Sequence, residues 1–114
     1  MSLRPSFRFR IYSGDTPAIG PGKIALLEAI IEHGSIRAAA KSIGMSYNRA
    51  WLLIEEMNKS FKSPVIEAIA GGSKGGGSHV TEVGHVLIKE YRAIENDALK
   101  ATTKRINAVK ALLR

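Results

Sequence analysis

Ser46, Tyr47, Asn48 and Arg49 stand in an unbroken row of hydrogen-bonding side chains, with Trp51 two residues on. The chemistry these types offer is recognition. An arginine guanidinium donates two parallel bonds to guanine, and an asparagine amide both donates to and accepts from adenine. Serine and tyrosine hydroxyls bond phosphate or a base edge. Each also has a structural use: serine caps a helix, and aromatic rings pack. Ser35 and Arg37 form a second group, where a helix start and a cation suit phosphate. Lys74 is a third, in a run at residues 71–78 with five glycines, followed by Ser78 and His79. Glycines let a backbone come close to a phosphate, and the lysine supplies charge.

The same residue types do not assemble an enzyme. His33, His79 and His85 fall on three separate elements, and no helix carries a His-x-x-x-His pair for a metal. Glu55 and Glu56 are adjacent, so on a helix they point to different faces and make a poor acid–base pair. A nucleotide loop needs G-x-x-x-x-G-K and then Ser or Thr, whereas Lys74 is followed by Gly75. No catalytic residue, metal ligand or cofactor is expected.

Two short helices position the row. Ser35 caps a first helix near residues 35–43, and Gly44 is suited to the positive φ that stops it. Ser46 caps a longer helix over residues 46–60. Ala38, Ala39 and Ala40 allow a second helix to approach closely. Ile36, Ala40 and Ile43 should face the core from the first helix. Ala50, Leu53, Ile54, Met57 and Phe61 should do so from the second, at i, i+3, i+4, i+7 spacing. Subtracting that stripe leaves Tyr47, Asn48, Arg49 and Trp51 on or beside the outer face. This is a helix-turn-helix, whose second helix presents its N-terminal side chains to base edges.

The flanks complete the unit. Residues 6–12, SFRFRIY, alternate as a half-buried strand, with Phe7, Phe9 and Ile11 inward and Arg8, Arg10 and Tyr12 outward. Arg8 and Arg10 are read as a solvated face, with phosphate contact as the alternative. Residues 16–19 return as a second short strand. A helix over residues 22–33 buries Ile24, Leu27, Ile30 and Ile31 and ends at Gly34. Val65 to Ala70 and His79 to Thr81 form a hairpin with a glycine tip, a wing over residues 70–79. Thr81 then caps one long helix. Leu87, Tyr91, Ile94, Ala98, Thr102, Ile106, Val109 and Leu113 follow at steps of three or four along it. A helix so long exceeds its own domain, so this stripe is expected to pack against the same helix of a second copy.

The totals agree with that outline. The 114 residues suit one domain with an appendage, and 45% hydrophobic content can supply a core. Lys and Arg number 17 against 10 acidic residues, a net charge of +7 that favours a polyanionic partner. There is no cysteine, no apolar leader and no run approaching the roughly 20 residues of a membrane span. A cytoplasmic protein without a membrane partner is expected.

Gly34-Ser35-Ile36, Ala39-Ala40-Lys41, Gly44-Met45-Ser46-Tyr47, Ala50-Trp51, Met57-Asn58, the glycine wing, Val80-Thr81 and Gly84 together resemble a known pattern. It is that of the DNA-binding domain of ModE-type molybdate-responsive transcription regulators, winged-helix relatives of the LysR class. The resemblance covers residues 7–95. It implies a winged helix-turn-helix that dimerises and binds palindromic operator DNA. Full-length members add a C-terminal molybdate-binding part; this sequence ends at Arg114, so molybdate binding within the same chain is not expected.

The expectation is therefore a mainly α fold with a small β component: a winged helix-turn-helix over residues 1–81 and a dimerisation helix over residues 82–114. Its function would be sequence-specific transcription regulation on double-stranded DNA as a homodimer. The alternative is a protein-interaction or architectural winged-helix module that does not read sequence.

Overall fold

The computed structural model of the chain describes residues 3–68 and 77–114. Two short strands, β1 (Ile11–Ser13) and β2 (Thr16–Ile19), precede three helices, α1 (Pro21–His33), α2 (Ile36–Ser42) and α3 (Tyr47–Ser60). A second antiparallel hairpin of β3 (Ile66–Ala68) and β4 (Ser78–Val80) leads into α4 (Glu82–Lys110). The mainly helical class with two small sheets is the one expected.

The core centres on α1. Pro21 suits its first turn because proline's φ is already helical and it has no N–H to leave unpaired. Gly34 ends it at φ 76°, donating its N–H to the Ile30 carbonyl at 2.8 Å. Helices α2, α3 and α4 and strand β4 all pack around it. Its buried set is accordingly wide: Ile24, Leu26, Leu27, Ala29 and Ile30. The sequence stripe had Ile31 among the buried residues and omitted Leu26 and Ala29, but Ile31 is exposed. A helix covered from several sides buries more than one stripe, so its 3.6-residue period blurs. Each fully buried Ile or Leu contributes about 2 kcal/mol.

Lys23 lies inside that set despite its charge. Its ammonium donates to the Pro17 carbonyl and pairs with Glu56 Oε1 at 3.1 Å. A buried cation needs both partners to offset its lost hydration. One side chain thus joins β2, α1 and α3.

The first hairpin is shorter than its alternation suggested. Only Ile11–Ser13 pair, and the register shifts between Ile11, opposite Ile19, and Tyr12, opposite Pro17. Phe7 and Phe9 are half-buried and Arg8 and Arg10 exposed as expected, but in backbone without a partner strand. Ile11 is exposed, because the irregularity falls beside it and breaks the period of two. Ile43 is likewise more exposed than expected, since it lies just past the end of α2.

The exit from α3 is a clasp. Asn58 Oδ1 accepts from the N–H groups of Val65 (2.8 Å) and Ile66 (3.3 Å), and its Nδ2 donates to the Ile66 carbonyl at 3.2 Å. Thr81 donates its backbone N–H to the Val65 carbonyl at 2.9 Å. Its hydroxyl lies 2.7 Å from the Pro64 carbonyl and accepts from the Gly84 N–H at 3.2 Å, which caps α4. Gly84 has no room for a side chain: a Cβ would sit 2.3 Å from Val80 Cγ1 and 2.8 Å from the Val65 oxygen.

Helix α4 then runs 29 residues, about 44 Å at 1.5 Å per residue. Its stripe divides by environment. Leu87 packs on the chain's own core. Tyr91, expected on the outward stripe, is buried: its ring stacks on Phe9 at 4.1 Å and its hydroxyl donates to the Phe9 carbonyl at 2.8 Å. Burial, then Glu95, pushes that hydroxyl's pKa above the usual tyrosine value, against Arg92, Arg8 and Arg10. The spacing could not distinguish a residue spent inside the chain from one left outside. Ile94, Val109 and Leu113 are exposed. Ala98, Thr102 and Ile106 are half-buried. The Thr102 hydroxyl donates to the Ala98 carbonyl at 2.6 Å, so it can sit in an apolar stripe without needing water. Arg92 joins α4 to α1 by pairing with Glu28 at 2.5 Å, a surface bridge worth at most about 1 kcal/mol.

The clasp gives a stability prediction. Asn58→Ala leaves two N–H groups and one carbonyl without their side-chain partner and should cost about 2 kcal/mol in urea unfolding. Asn58→Asp, which keeps the acceptor, should cost less. Equal stability of Asn58→Ala and wild type would show that the clasp does not hold the hairpin.

Candidate nucleic-acid interface

The two serines that open the helix-turn-helix helices are both caps. Ser35 Oγ accepts from the Ala38 N–H and Ser46 Oγ from the Arg49 N–H, each at 3.1 Å. Between them Gly44 takes φ 69°, and the Met45 N–H returns to the Ala40 carbonyl at 2.9 Å. Ala39, Ala40 and Ala50 are buried where α2 and α3 meet, and their small side chains allow the close crossing.

That crossing sets which side chains remain outside. Ala50, Leu53, Ile54 and Met57 face the core. At 100° per residue, Asn48, Leu52 and Glu55 lie farthest from that face, with Tyr47 and Trp51 on one flank and Arg49 on the other. All of these outer residues are exposed. Leu52 and Glu55 were not singled out from sequence. Subtracting the apolar stripe, which places Asn48 outward, leaves Leu52 outside as well.

On the first flank the side chains form a ledge. The Arg37 guanidinium lies 4.3 Å above the Tyr47 ring, and Tyr47 meets Trp51 edge-on with centroids 6.2 Å apart. Such cation–π and aromatic pairs stiffen exposed side chains. A cleft of about 460 Å³ opens beside the ledge, lined by Ser35, Ile36, Arg37, Tyr47, Trp51, Ala68, Gly77 and Ser78. It brings together five of the ten residues singled out from the sequence: Ser35, Arg37, Tyr47, Trp51 and Ser78. It also shows the loop-side end of the paired strands of the second hairpin standing beside the start of α3.

The remaining five are distributed elsewhere. Ser46 is committed to its cap, Asn48 points away from the core, and Arg49 lies on the far flank near Arg10 and Glu56. His79 sits opposite Glu67 in the hairpin, Nε2 to Oε1 3.9 Å, so a carboxylate shares its surroundings. Lys74, with residues 69–76, lies outside the described residues. The cationic heads of Arg10, Arg37 and Arg49 have no carboxylate within 4.0 Å among the described residues.

A helix-turn-helix with an adjoining hairpin and a long trailing helix is a winged helix-turn-helix. The crystal structure of the CbnR DNA-binding domain in complex with DNA shares this fold, with a TM-score of 0.56 at 19% identity over 77% of this chain and 95% of that one. No family model matches the chain. Curated relatives do. The molybdenum-pterin-binding protein MopA of Rhodobacter capsulatus is 42% identical over 85 residues, covering 75% of this chain and 32% of MopA. The molybdenum transport protein ModE of Azotobacter vinelandii is 40% identical over 95 residues, 81% of this chain and 35% of that protein. The DNA-binding transcriptional dual regulator ModE of Escherichia coli K12 is 40% identical over 81 residues, 71% of this chain and 31% of that protein. The chain thus spans about a third of the length of the relatives it matches, and over that span it is similar to ModE-type proteins. Of these three, the Escherichia coli protein is by name a DNA-binding transcriptional regulator. Among the described residues, no helix is long and apolar enough to cross a membrane.

The cap geometry generates a test. Ser46→Ala should cost about 1 kcal/mol of stability, and Ser46→Gly only a few tenths, measured by thermal unfolding. Equal stability of all three proteins would show that the Ser46 hydroxyl does not act as a cap.

Proposed function

We propose that this chain is the reading head of a transcription regulator that binds operator DNA sequence-specifically as a homodimer. The observation that carries it is the exposed, rigidly capped start of α3, bearing Asn48 and Arg49 and set beside the second hairpin. Identity of 40% to a DNA-binding regulator and a net charge of +7 support the same reading. In this role α3 enters the major groove. Asn48 reads adenine and Arg49 reads guanine. Ser35 at the start of α2, Arg37 and the wing residues Lys74, Ser78 and His79 hold backbone phosphate. Tyr47 and Trp51 form an apolar wall beside them. Residues 1–81 are the reading unit. Residues 82–114 join two copies through Ile94, Ile106, Val109 and Leu113, with Ala98 and Thr102 between. Two-fold symmetry then calls for a palindrome with half-sites about one helical turn apart. No molybdate site is assigned to these residues.

Purified protein should select genomic fragments that share a palindrome, with affinity that falls steeply as salt rises. Asn48→Ala and Arg49→Ala should each lose about ten- to a hundred-fold on a selected fragment while changing little on random DNA. Equal loss on both DNAs would remove the base-reading assignment. Absence of binding even at low salt would favour the interaction-module alternative. A Val109→Asp, Leu113→Asp double variant should run as a monomer in light scattering; a dimer of unchanged strength would move the interface elsewhere.

A further inference from the structure

We infer that the cleft between the first hairpin and the Arg49 flank of α3 holds a backbone phosphate of the same duplex, with Arg10 as its principal grip. The inference rests on the DNA-binding role proposed for α3 and adds a second contact edge to it. Four observations converge. First, α3 has a hairpin on each side. The loop-side end of β3 and β4 stands by Tyr47 and Trp51, while the β1–β2 side shares a cleft of about 130 Å³ whose lining includes Arg10, Pro17, Gly20, Lys23, Arg49 and Glu56. A helix in the major groove has phosphate walls on both sides, about 12 Å apart. A wing on one flank serves one wall and leaves the other to whatever stands by Arg49.

Second, the charge of the cleft is unbalanced. Lys23 and Glu56 neutralise each other at 3.1 Å, but Arg10 and Arg49 have no carboxylate within 4.0 Å among the described residues. In the proposed role Arg49 is spent on a base, so the Arg10 guanidinium is left to attract an anion at the cleft. Third, the Arg10 stem is supported. It lies across Gly20, where a Cβ would come within 2.9 Å of Arg10 Cγ, and this brings its head group to the cleft. Fourth, the hairpin is fixed to α3. Lys23 holds the Pro17 carbonyl with the same ammonium that pairs with Glu56, which ties β2 to α3, and Arg10 lies against Gly20 just past β2. A guanidinium recognises phosphate through two parallel charged bonds, which a lysine in its place would not reproduce.

The test uses the whole chain and a duplex that it selects. Arg10→Gln keeps most of the stem over Gly20 and removes the charge; Lys104→Gln, on the outer part of α4, is the charge-matched control. Wild type and control should share one slope of log affinity against log salt. Arg10→Gln should lower that slope by about one unit, so that a four-fold rise in salt weakens it roughly three- to four-fold less than wild type. Its loss should be the same on selected and random DNA. Ethylation interference on the wild type should mark a phosphate beside the base pair that Arg49 contacts, and the mark should vanish in Arg10→Gln. An Arg10→Gln slope equal to wild type, or no interference at that phosphate, overturns this inference while leaving the DNA reading intact. If wild type binds no duplex at low salt, the DNA reading falls first and this inference with it. The interference pattern needs no variant, so the test stands even if Arg10→Gln folds poorly.

Discussion

The carboxamide of Asn58 is the point on which the arrangement of this molecule turns. It binds the backbone of Val65 and Ile66 as the chain leaves α3. From the other side Thr81 binds the carbonyls of Pro64 and Val65 and caps α4. The end of α3, both strands of the second hairpin and the start of α4 therefore meet at one short stretch of backbone. A half-buried polar cluster of this kind is favourable only when its members find partners, and here each does, which makes it specific as well as stabilising. Gly84 belongs to the same feature, because any side chain there would collide with Val80 and Val65. Asn58, Thr81 and Gly84 thus have a mechanical meaning: they fix the second hairpin and the long helix to α3.

A second tie does the same for the other side of α3. Lys23 is a buried cation with one neutral and one charged partner, and these come from β2 and α3. Between the two ties α3 is held by hairpins on both flanks. In the proposed role this matters because base reading demands that Asn48 and Arg49 keep a fixed height and rotation in the groove. Phosphate contacts on each side position the helix, and the helix then distinguishes sequences. Ser35 and Ser46 contribute mainly through their caps, which satisfy N–H groups at the start of each helix and so sharpen where the outer face begins.

The long helix shows how one stripe can serve two purposes. Its first turns are part of the core, through Leu87 and the stacked, hydrogen-bonded Tyr91. Farther on, Ile106, Val109 and Leu113 line a groove with Leu3, Pro5 and Phe7 of the N-terminal segment. The outer half is therefore accompanied by its own chain along one side, and Ile94, Val109 and Leu113 keep exposed apolar surface. In the proposed dimer that groove would contribute to the surface a second copy meets.

Local physics made much of this legible in the sequence. Ser35, Ser46 and Thr81 are caps because a hydroxyl at those positions meets a free N–H three residues on. Gly34 and Gly44 end helices because they take positive φ without a clash. The stripe of Ala50, Leu53, Ile54 and Met57 fixed which face of α3 turns inward, and hence that Tyr47, Asn48, Arg49 and Trp51 stay outside. Such features depend on a few neighbouring residues, and the chain carries them wherever it goes. The tertiary structure decided what depends on distant partners. It buried Lys23 because Pro17 and Glu56 converge on it, and exposed Ile31 because the cover over α1 shifts toward Leu26 and Ala29. It took Tyr91 out of the outward stripe because Phe9, eighty-two residues earlier, supplies both a ring and a carbonyl. It also set each flank of α3, that of Arg49 and that of Tyr47, beside a different hairpin. Periodicity reports which face of an element is apolar; only packing reports what that face meets.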